Sequence, residues 1–168
     1  MSEQVSHYVA CLDLRGRRCL VIGTGATAEE KVEGLRASGA VVETAGAYSP
    51  ELLDGVWLVV VANGDGERVY RDASERRIFC NVADVPELCS FILPAIHRRG
   101  PIALAVSTGG ASPALAQRLR DDFGSQIGDE HVALAEELRA LRPWVREHLE
   151  TYAERRDFFR ERVTEALG

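Results

Sequence analysis

The sequence predicts an α/β fold: a parallel sheet in the first half, a small β element after it, and helices to the end. Three observations carry this. Strand-length apolar runs alternate with helix-length polar stretches through the first half, the rhythm of βαβ units. Val56–Ala62 (VWLVVVA) is almost continuously apolar, as expected of a parallel strand covered on both faces. From Ser112 onward the apolar spacing is helical.

Taken in order, Arg18–Gly23 reads as a buried strand closed by a glycine. Ala26–Ser38 is a helix with apolar residues at Ala28, Val32 and Leu35, stopped by Gly39. Ala40–Ala45 is a second strand, Val56–Ala62 the next, Asp65–Arg77 a polar helix and Ile78–Val82 a further strand. Two apolar runs, Ser90–Ile96 and Pro101–Ser107, flank His97-Arg98-Arg99-Gly100 and predict a hairpin turned at Gly100. Ser112 suits a helix N-cap and Pro113 the first helical position. Gly124 and Gly128 end that helix, and Asp129–His148 and Tyr152–Leu167 form two more. The expected organisation is residues 1–89 as a nucleotide-type α/β domain, 90–110 as a β element and 111–168 as a helical region.

Composition narrows the function. Of 168 residues 46% are hydrophobic and 27% charged, a globular mixture. The net charge of −6 argues against nucleic acid or an anionic membrane surface as partner, so an acidic ligand needs a local basic pocket. The N-terminus lacks the basic start and sustained apolar run of a secretory signal, and no apolar run is long enough to span a bilayer, so a cytoplasmic location is expected. Cys11, Cys19, Cys80 and Cys89 form no CxxC pair and no metal-finger spacing, and read as reduced, partly buried thiols. His97 has no partner His or Cys at ligand spacing.

The turn after the first strand, Gly23-Thr24-Gly25-Ala26-Thr27-Ala28, matches G-x-G-x-x-G/A. Gly23 permits the tight turn, Gly25 lets a pyrophosphate approach the backbone, and Ala28 lets the helix pack close to the strand. The helix N-terminus offers free N–H groups and a positive dipole end to phosphates. The residues expected against a dinucleotide are Gly23, Gly25, Ala26, Thr27, Ala28, Glu43 and Ala47, with Asn63 and Gly64 after the third strand. Glu43 stands at the distance of the ribose-binding acid but inside its strand. No Arg follows that strand to welcome a 2′-phosphate, so NAD is expected over NADP. Asn63-Gly64 reads equally as an ordinary strand–helix turn.

Two further blocks name a family. Asn81-Val82-Ala83-Asp84-Val85-Pro86-Glu87-Leu88-Cys89-Ser90-Phe91-Ile92-Leu93-Pro94-Ala95-Ile96 and Ala105-Val106-Ser107-Thr108-Gly109-Gly110-Ala111-Ser112-Pro113-Ala114-Leu115-Ala116 together resemble the precorrin-2 dehydrogenase family, which includes the N-terminal module of siroheme synthase. Leu12-Asp13-Leu14-Arg15-Gly16-Arg17 and Ala28-Glu29-Glu30-Lys31 are similar too, except that the family usually has Arg where Glu30 stands. The similarity covers most of residues 8–123.

The resemblance implies a Rossmann-like NAD domain, a β element used for homodimerisation and a helical C-terminal region. It implies NAD-dependent oxidation of precorrin-2 to sirohydrochlorin, and in some members insertion of ferrous iron. It places Asp84 at the family's acidic residue, as proton acceptor or as a carboxylate holding a metal during chelation; a turn residue is the plainer reading. A base role gains from partial burial. Ser107, Thr108, Gly109, Gly110 and Ser112, with Arg98 and Arg118, are the candidates for the carboxylates of the tetrapyrrole. One departure stands out. The family usually continues after the second strand with a further helix and strand, whereas here Thr44–Ala47 runs almost directly into Tyr48–Gly55, so the sheet is expected to be one strand short. A tetrapyrrole-binding or chelatase module that has lost NAD is the alternative this leaves open, and an NAD-binding regulatory subunit a third.

Overall fold

The computed structural model describes residues 7–168 and divides into two compact units, one through Leu93 and one from Pro94. In the first, β1 (Arg18–Ile22), β2 (Val41–Ala45), β3 (Leu58–Val61) and β4 (Phe79–Val82) form one parallel sheet in the order β2-β1-β3-β4. The helix α1 (Ala26–Ala37) connects β1 to β2, and α2 (Gly66–Glu75) connects β3 to β4. Between β2 and β3 there is only a 3-10 turn, Pro50–Leu53, so β2 is the edge of a four-stranded sheet, as the shortened sequence predicts.

Alternation along the strands builds a core on each face. Leu20, Ile22, Val59, Val61, Cys80 and Val82 meet Val69 and Ala73 of α2 and Leu53. Cys19, Val21, Leu58 and Val60 meet Ala28 and Val32 of α1 and Leu14. Both faces are therefore covered, which is why β1 and β3 read as continuous apolar runs. The third strand is shorter than Val56–Ala62, yet the ladder runs on at both ends: the Trp57 N–H donates to the Arg18 carbonyl at 2.9 Å and the Ala62 N–H to that of Ile22 at 2.8 Å.

In the second unit, β5 (Ala95–Arg99) and β6 (Ile102–Val106) pair antiparallel, followed by α3 (Pro113–Gly124), α4 (Asp129–His148) and α5 (Tyr152–Leu167). The hairpin and the helices lie in the same unit. The hairpin turns at Gly100 (φ 54°), but its first strand is displaced from the expected Ser90–Ile96. Pro94 supplies no N–H for a ladder, and Ser90 and Phe91 are tied to β4 instead. The charged His97-Arg98-Arg99 thus lies within β5. Arg99 reaches the carbonyl of Ile127 at 2.5 Å and Asp129 at 2.8 Å. His97 lies against Gly124, where a Cβ would come within 2.6 Å of its ring, and its Nε2 is buried without a partner. Cys19 and Cys80 are buried and Cys89 half-buried, but Cys11 is exposed, contrary to expectation. Among the described residues no helix is long and apolar enough to cross a membrane, and no cluster of His, Cys, Asp and Glu has metal-binding geometry.

Candidate functional site

The strand order reverses between β1 and β3, so the loops leaving their C-terminal ends diverge, which is where open α/β sheets bind ligands. The β1 loop is Gly23-Thr24-Gly25. Gly23 has φ 118°, and its N–H donates to the Ala45 carbonyl at 2.8 Å, which fixes the loop against the end of β2. A Cβ on Gly23 would lie 2.7 Å from Asn63 Oδ1 and 2.9 Å from the Asn63 backbone nitrogen. Only glycine fits there. Asn63 leaves the end of β3 and straps the two loops together: its Nδ2 donates to the Thr24 carbonyl at 2.8 Å, and the Thr24 N–H donates to its Oδ1 at 3.3 Å. One N–H and one lone pair of its amide thus position the loop. Gly64 (φ 108°) follows, and Asp65 caps α2 by accepting the Arg68 N–H at 3.2 Å.

Gly25 differs from Gly23. It is the N-cap of α1 at φ 87°, and among the described residues no side chain caps the helix and a Cβ there would meet nothing within 4 Å. Ala26 and Thr27 are exposed beside it, and Ala28 is buried against the sheet. The arrangement is an open backbone cradle at a positive helix end, suited to a pyrophosphate. Ala47 is exposed just past β2.

Glu43 does not join this group. Arg18, at the opposite end of β1, grips its carboxylate with two bonds of 3.0 and 2.9 Å and also bonds the Asp54 carbonyl. The charge-assisted pair turns Glu43 away from the glycine loop and holds its carboxyl below the usual range. No other acid stands at the end of β2, where a ribose would be read.

Asp84 follows β4 at the same edge of the sheet. It has φ 62°, one of two non-glycine residues with positive φ among those described, and it is exposed rather than partly buried as a base would prefer. Left-handed backbone away from glycine is costly and clusters at functional positions. The feature sequence reasoning missed is what surrounds it. The Val85 N–H closes the turn on the Val82 carbonyl at 3.3 Å. Cys89, Ser90 and Phe91 run back along β4 and bond to Asn81, Cys80 and Val82. The signal was the spacing Asn81…Ser90-Phe91 inside the motif, visible only as a pattern until the hydrogen bonds were known.

In the second unit, the loop between β6 and α3 is held by its own side chains. The Thr108 hydroxyl donates to the Ser112 carbonyl at 3.1 Å and accepts the Ser112 N–H at 3.0 Å, so it has no proton left for a ligand. Ser107 Oγ accepts the Gly109 N–H at 3.2 Å, and Ser112 Oγ accepts the Leu115 N–H at 3.2 Å. Both keep a hydroxyl proton to donate. Gly109 (φ 62°) and Gly110 (φ 87°) leave the backbone bare, with nothing within 4 Å of a Cβ on Gly110. Asp122, one turn on, engages the Nε of Arg118 at 2.8 and 2.9 Å. Arg98 is exposed on β5 with no ion pair among the described residues.

Comparison with known proteins follows the same division. A "Putative NAD(P)-binding" family model matches residues 10–45 and 41–95, two segments that meet at the end of β2. A "Sirohaem biosynthesis protein central" model matches residues 99–126. Siroheme synthase of Citrobacter koseri is 35% identical over 179 positions, covering 92% of this chain and 39% of that protein. Siroheme synthase 2 of Yersinia enterocolitica is 33% identical over 175 positions, covering 90% and 37%. The chain thus spans about two fifths of the length of these relatives. Because 179 aligned positions draw on only 92% of 168 residues, the relatives hold residues that this chain lacks. Among solved structures, SirC, a precorrin-2 dehydrogenase, superposes with a TM-score of 0.70 at 25% identity, covering 92% of this chain and 88% of that one.

Proposed function

The chain belongs to the family of precorrin-2 dehydrogenases and siroheme synthase N-terminal modules, and from that premise we propose that it is a cytoplasmic NAD-dependent dehydrogenase that oxidises precorrin-2 to sirohydrochlorin. The observation that carries the reading is the glycine loop: an uncapped α1 N-terminus with open space beside Gly25, held in place by Asn63. These residues fit a dinucleotide. Gly25 and the N–H groups of Ala26, Thr27 and Ala28 would hold its pyrophosphate, and Gly23 keeps the loop close to β2. NAD, when bound, supplies the hydride acceptor. With Glu43 engaged by Arg18, the 2′-hydroxyl has no carboxylate partner, so the preference for NAD over NADP is expected to be small.

Oxidation removes a hydride and a proton from the macrocycle, and Asp84 is the group proposed to take the proton. Free hydroxyl protons on Ser107 and Ser112, the bare backbone at Gly109-Gly110 and the unpaired guanidinium of Arg98 are proposed to bind macrocycle carboxylates. Arg118, whose Nε is held by Asp122, can contribute through its Nη groups. Thr108 shapes the loop. We propose further that the chain acts as a homodimer through the outer face of the hairpin, where Ile96 is 39% exposed and Ala103 and Ala105 are exposed beside it; sedimentation velocity reads this directly.

A second reading has one observation in its favour. The missing strand leaves β2 as a bare edge without a ribose acid, which suits a tetrapyrrole-binding or iron-inserting module that no longer uses NAD. Titration of the protein with NAD and NADP, followed by tryptophan fluorescence, decides between the two. Saturable binding followed by conversion of precorrin-2 to sirohydrochlorin supports the dehydrogenase. No response to either nucleotide overturns it. Asp84→Ala should lower turnover by a factor of about 10² to 10⁴, the span of general-base contributions, with nucleotide binding intact.

A further inference from the structure

We propose that Cys89 is a positioning residue for Asp84, acting through a strap that closes the free edge of β4. The inference rests on the proton-acceptor role proposed above for Asp84. β4 is the outer strand of the sheet, so the peptide groups of Cys80 and Val82 that face away from β3 have no neighbouring strand. Residues 89–91 supply the partners. Ser90 accepts the Cys80 N–H on its hydroxyl at 2.8 Å, and its own N–H donates to the Cys80 carbonyl at 2.8 Å. The Cys89 sulfur accepts the Val82 N–H at 3.4 Å, and its thiol lies 3.3 Å from the carbonyls of both Val82 and Val85. The side chain of Asn81, itself buried, donates to the same sulfur at 3.4 Å and to the Phe91 carbonyl at 3.0 Å.

Four contacts therefore converge on one sulfur, and the two residues whose backbone it holds, Val82 and Val85, bracket Asp84. Aspartate tolerates the left-handed region better than most residues, and its turn still has to be held for the carboxylate to keep one direction. Here the turn is pinned on both sides by one atom. Sulfur suits this place because its long bond to carbon lets it touch several peptide groups at 3.3–3.4 Å, beyond the usual reach of a hydroxyl. Burial pushes the Cys89 thiol up, so at neutral pH it keeps the proton it donates to the carbonyls.

The test compares Cys89→Ala and Cys89→Ser in the full chain. If the thiol positions Asp84, C89A lowers kcat for precorrin-2 oxidation about tenfold, leaves the NAD Kd unchanged and shifts the acidic limb of the kcat/KM pH profile. C89S, which restores a donor and acceptor but not the reach, falls between. In an Asp84→Asn background C89A has no further effect, since coupled residues are non-additive. Wild-type kcat and pH profile in C89A overturn the proposal, as does an equal loss in the Asp84→Asn background. Should C89A fail to fold, C89S with a wild-type pH profile overturns it equally. Wild-type turnover in D84A refutes the role of Asp84 itself, a result distinct from any outcome at Cys89.

Discussion

Replacing Gly23 with alanine tests the glycine loop most sharply, because two independent costs can be worked from the structure. The backbone at Gly23 has φ 118°, which L-residues rarely adopt and which costs of order 1–3 kcal/mol for a residue with a Cβ. The new methyl would also lie 2.7 Å from Asn63 Oδ1 and 2.9 Å from the Asn63 backbone nitrogen. The amide oxygen can swing aside, but doing so gives up the two hydrogen bonds to Thr24, each worth about 1 kcal/mol net. The backbone nitrogen at the end of β3 cannot move without disturbing the ladder. Together these give about 3–5 kcal/mol. For a unit of this size a loss at the lower end already moves Tm by about 12–24 °C. If the cost falls on the loop alone, nucleotide affinity drops by about 150- to 5,000-fold. The matched control is Gly25→Ala. Its Cβ meets nothing within 4 Å among the described residues, so its stability loss is confined to backbone strain at φ 87°, while the methyl occupies the space a pyrophosphate needs. The expected result is that Gly23→Ala loses both thermal stability and nucleotide binding, and Gly25→Ala loses binding with a smaller change in Tm. Thermal denaturation and fluorescence titration of both variants measure this. Wild-type nucleotide affinity in Gly23→Ala would refute the reasoning.

Asn63→Ala should raise the nucleotide Kd about five- to a hundredfold through loss of its two bonds to Thr24, with turnover at saturating nucleotide little changed; calorimetric titration reads it. Glu43→Gln should leave nucleotide affinity at the wild-type level, since the carboxylate is committed to Arg18. The Arg18 bond depresses the folded-state pKa of Glu43, so its contribution is present above the unfolded value near 4.5 and is lost as pH falls through the folded one. The stability difference between wild type and Glu43→Gln should therefore narrow on acidification, as followed by urea unfolding. Burial, aided by the hydrogen bond to Asp72 at 2.7 Å, pushes Tyr48 up to about 12. Its raised value contributes stability below the unfolded pKa near 10, lost as pH rises toward 12. Tyrosinate absorbance should show one late-titrating tyrosine, absent in Tyr48→Phe.

The helices, the four strands of the parallel sheet and the order of the elements were legible in the sequence, because each carries its own local signal, whereas β5 lies at Ala95–Arg99 and not at Ser90–Ile96. The apolar run of β3, Ser112-Pro113 opening α3, and the span Asp129–His148 of α4 need no tertiary partner to be read. The shortened sheet was legible too, since a missing strand is a missing stretch of chain. The glycine motif located a loop, but locating a loop does not say what its neighbours do. Sequence offered Asn63 as a nucleotide contact or an ordinary turn residue and Glu43 as an acid inside its strand; the fold adds that Asn63 bonds Thr24 and Glu43 bonds Arg18. It offered Thr108 as a candidate donor to substrate, and did not show that the hydroxyl bonds Ser112. It gave Cys89 no role beyond that of a small hydrophobe. For Thr108 and Cys89 the partners are near in sequence and what was missing was the turn geometry that aims the side chain at them; for Asn63 and Glu43 the reason is distance along the chain. Periodicity and turn chemistry act between residues near in sequence, and so are written locally. A polar side chain takes whichever partner the fold brings within about 3 Å, and for Asn63 and Glu43 those partners lie 39 and 25 residues away.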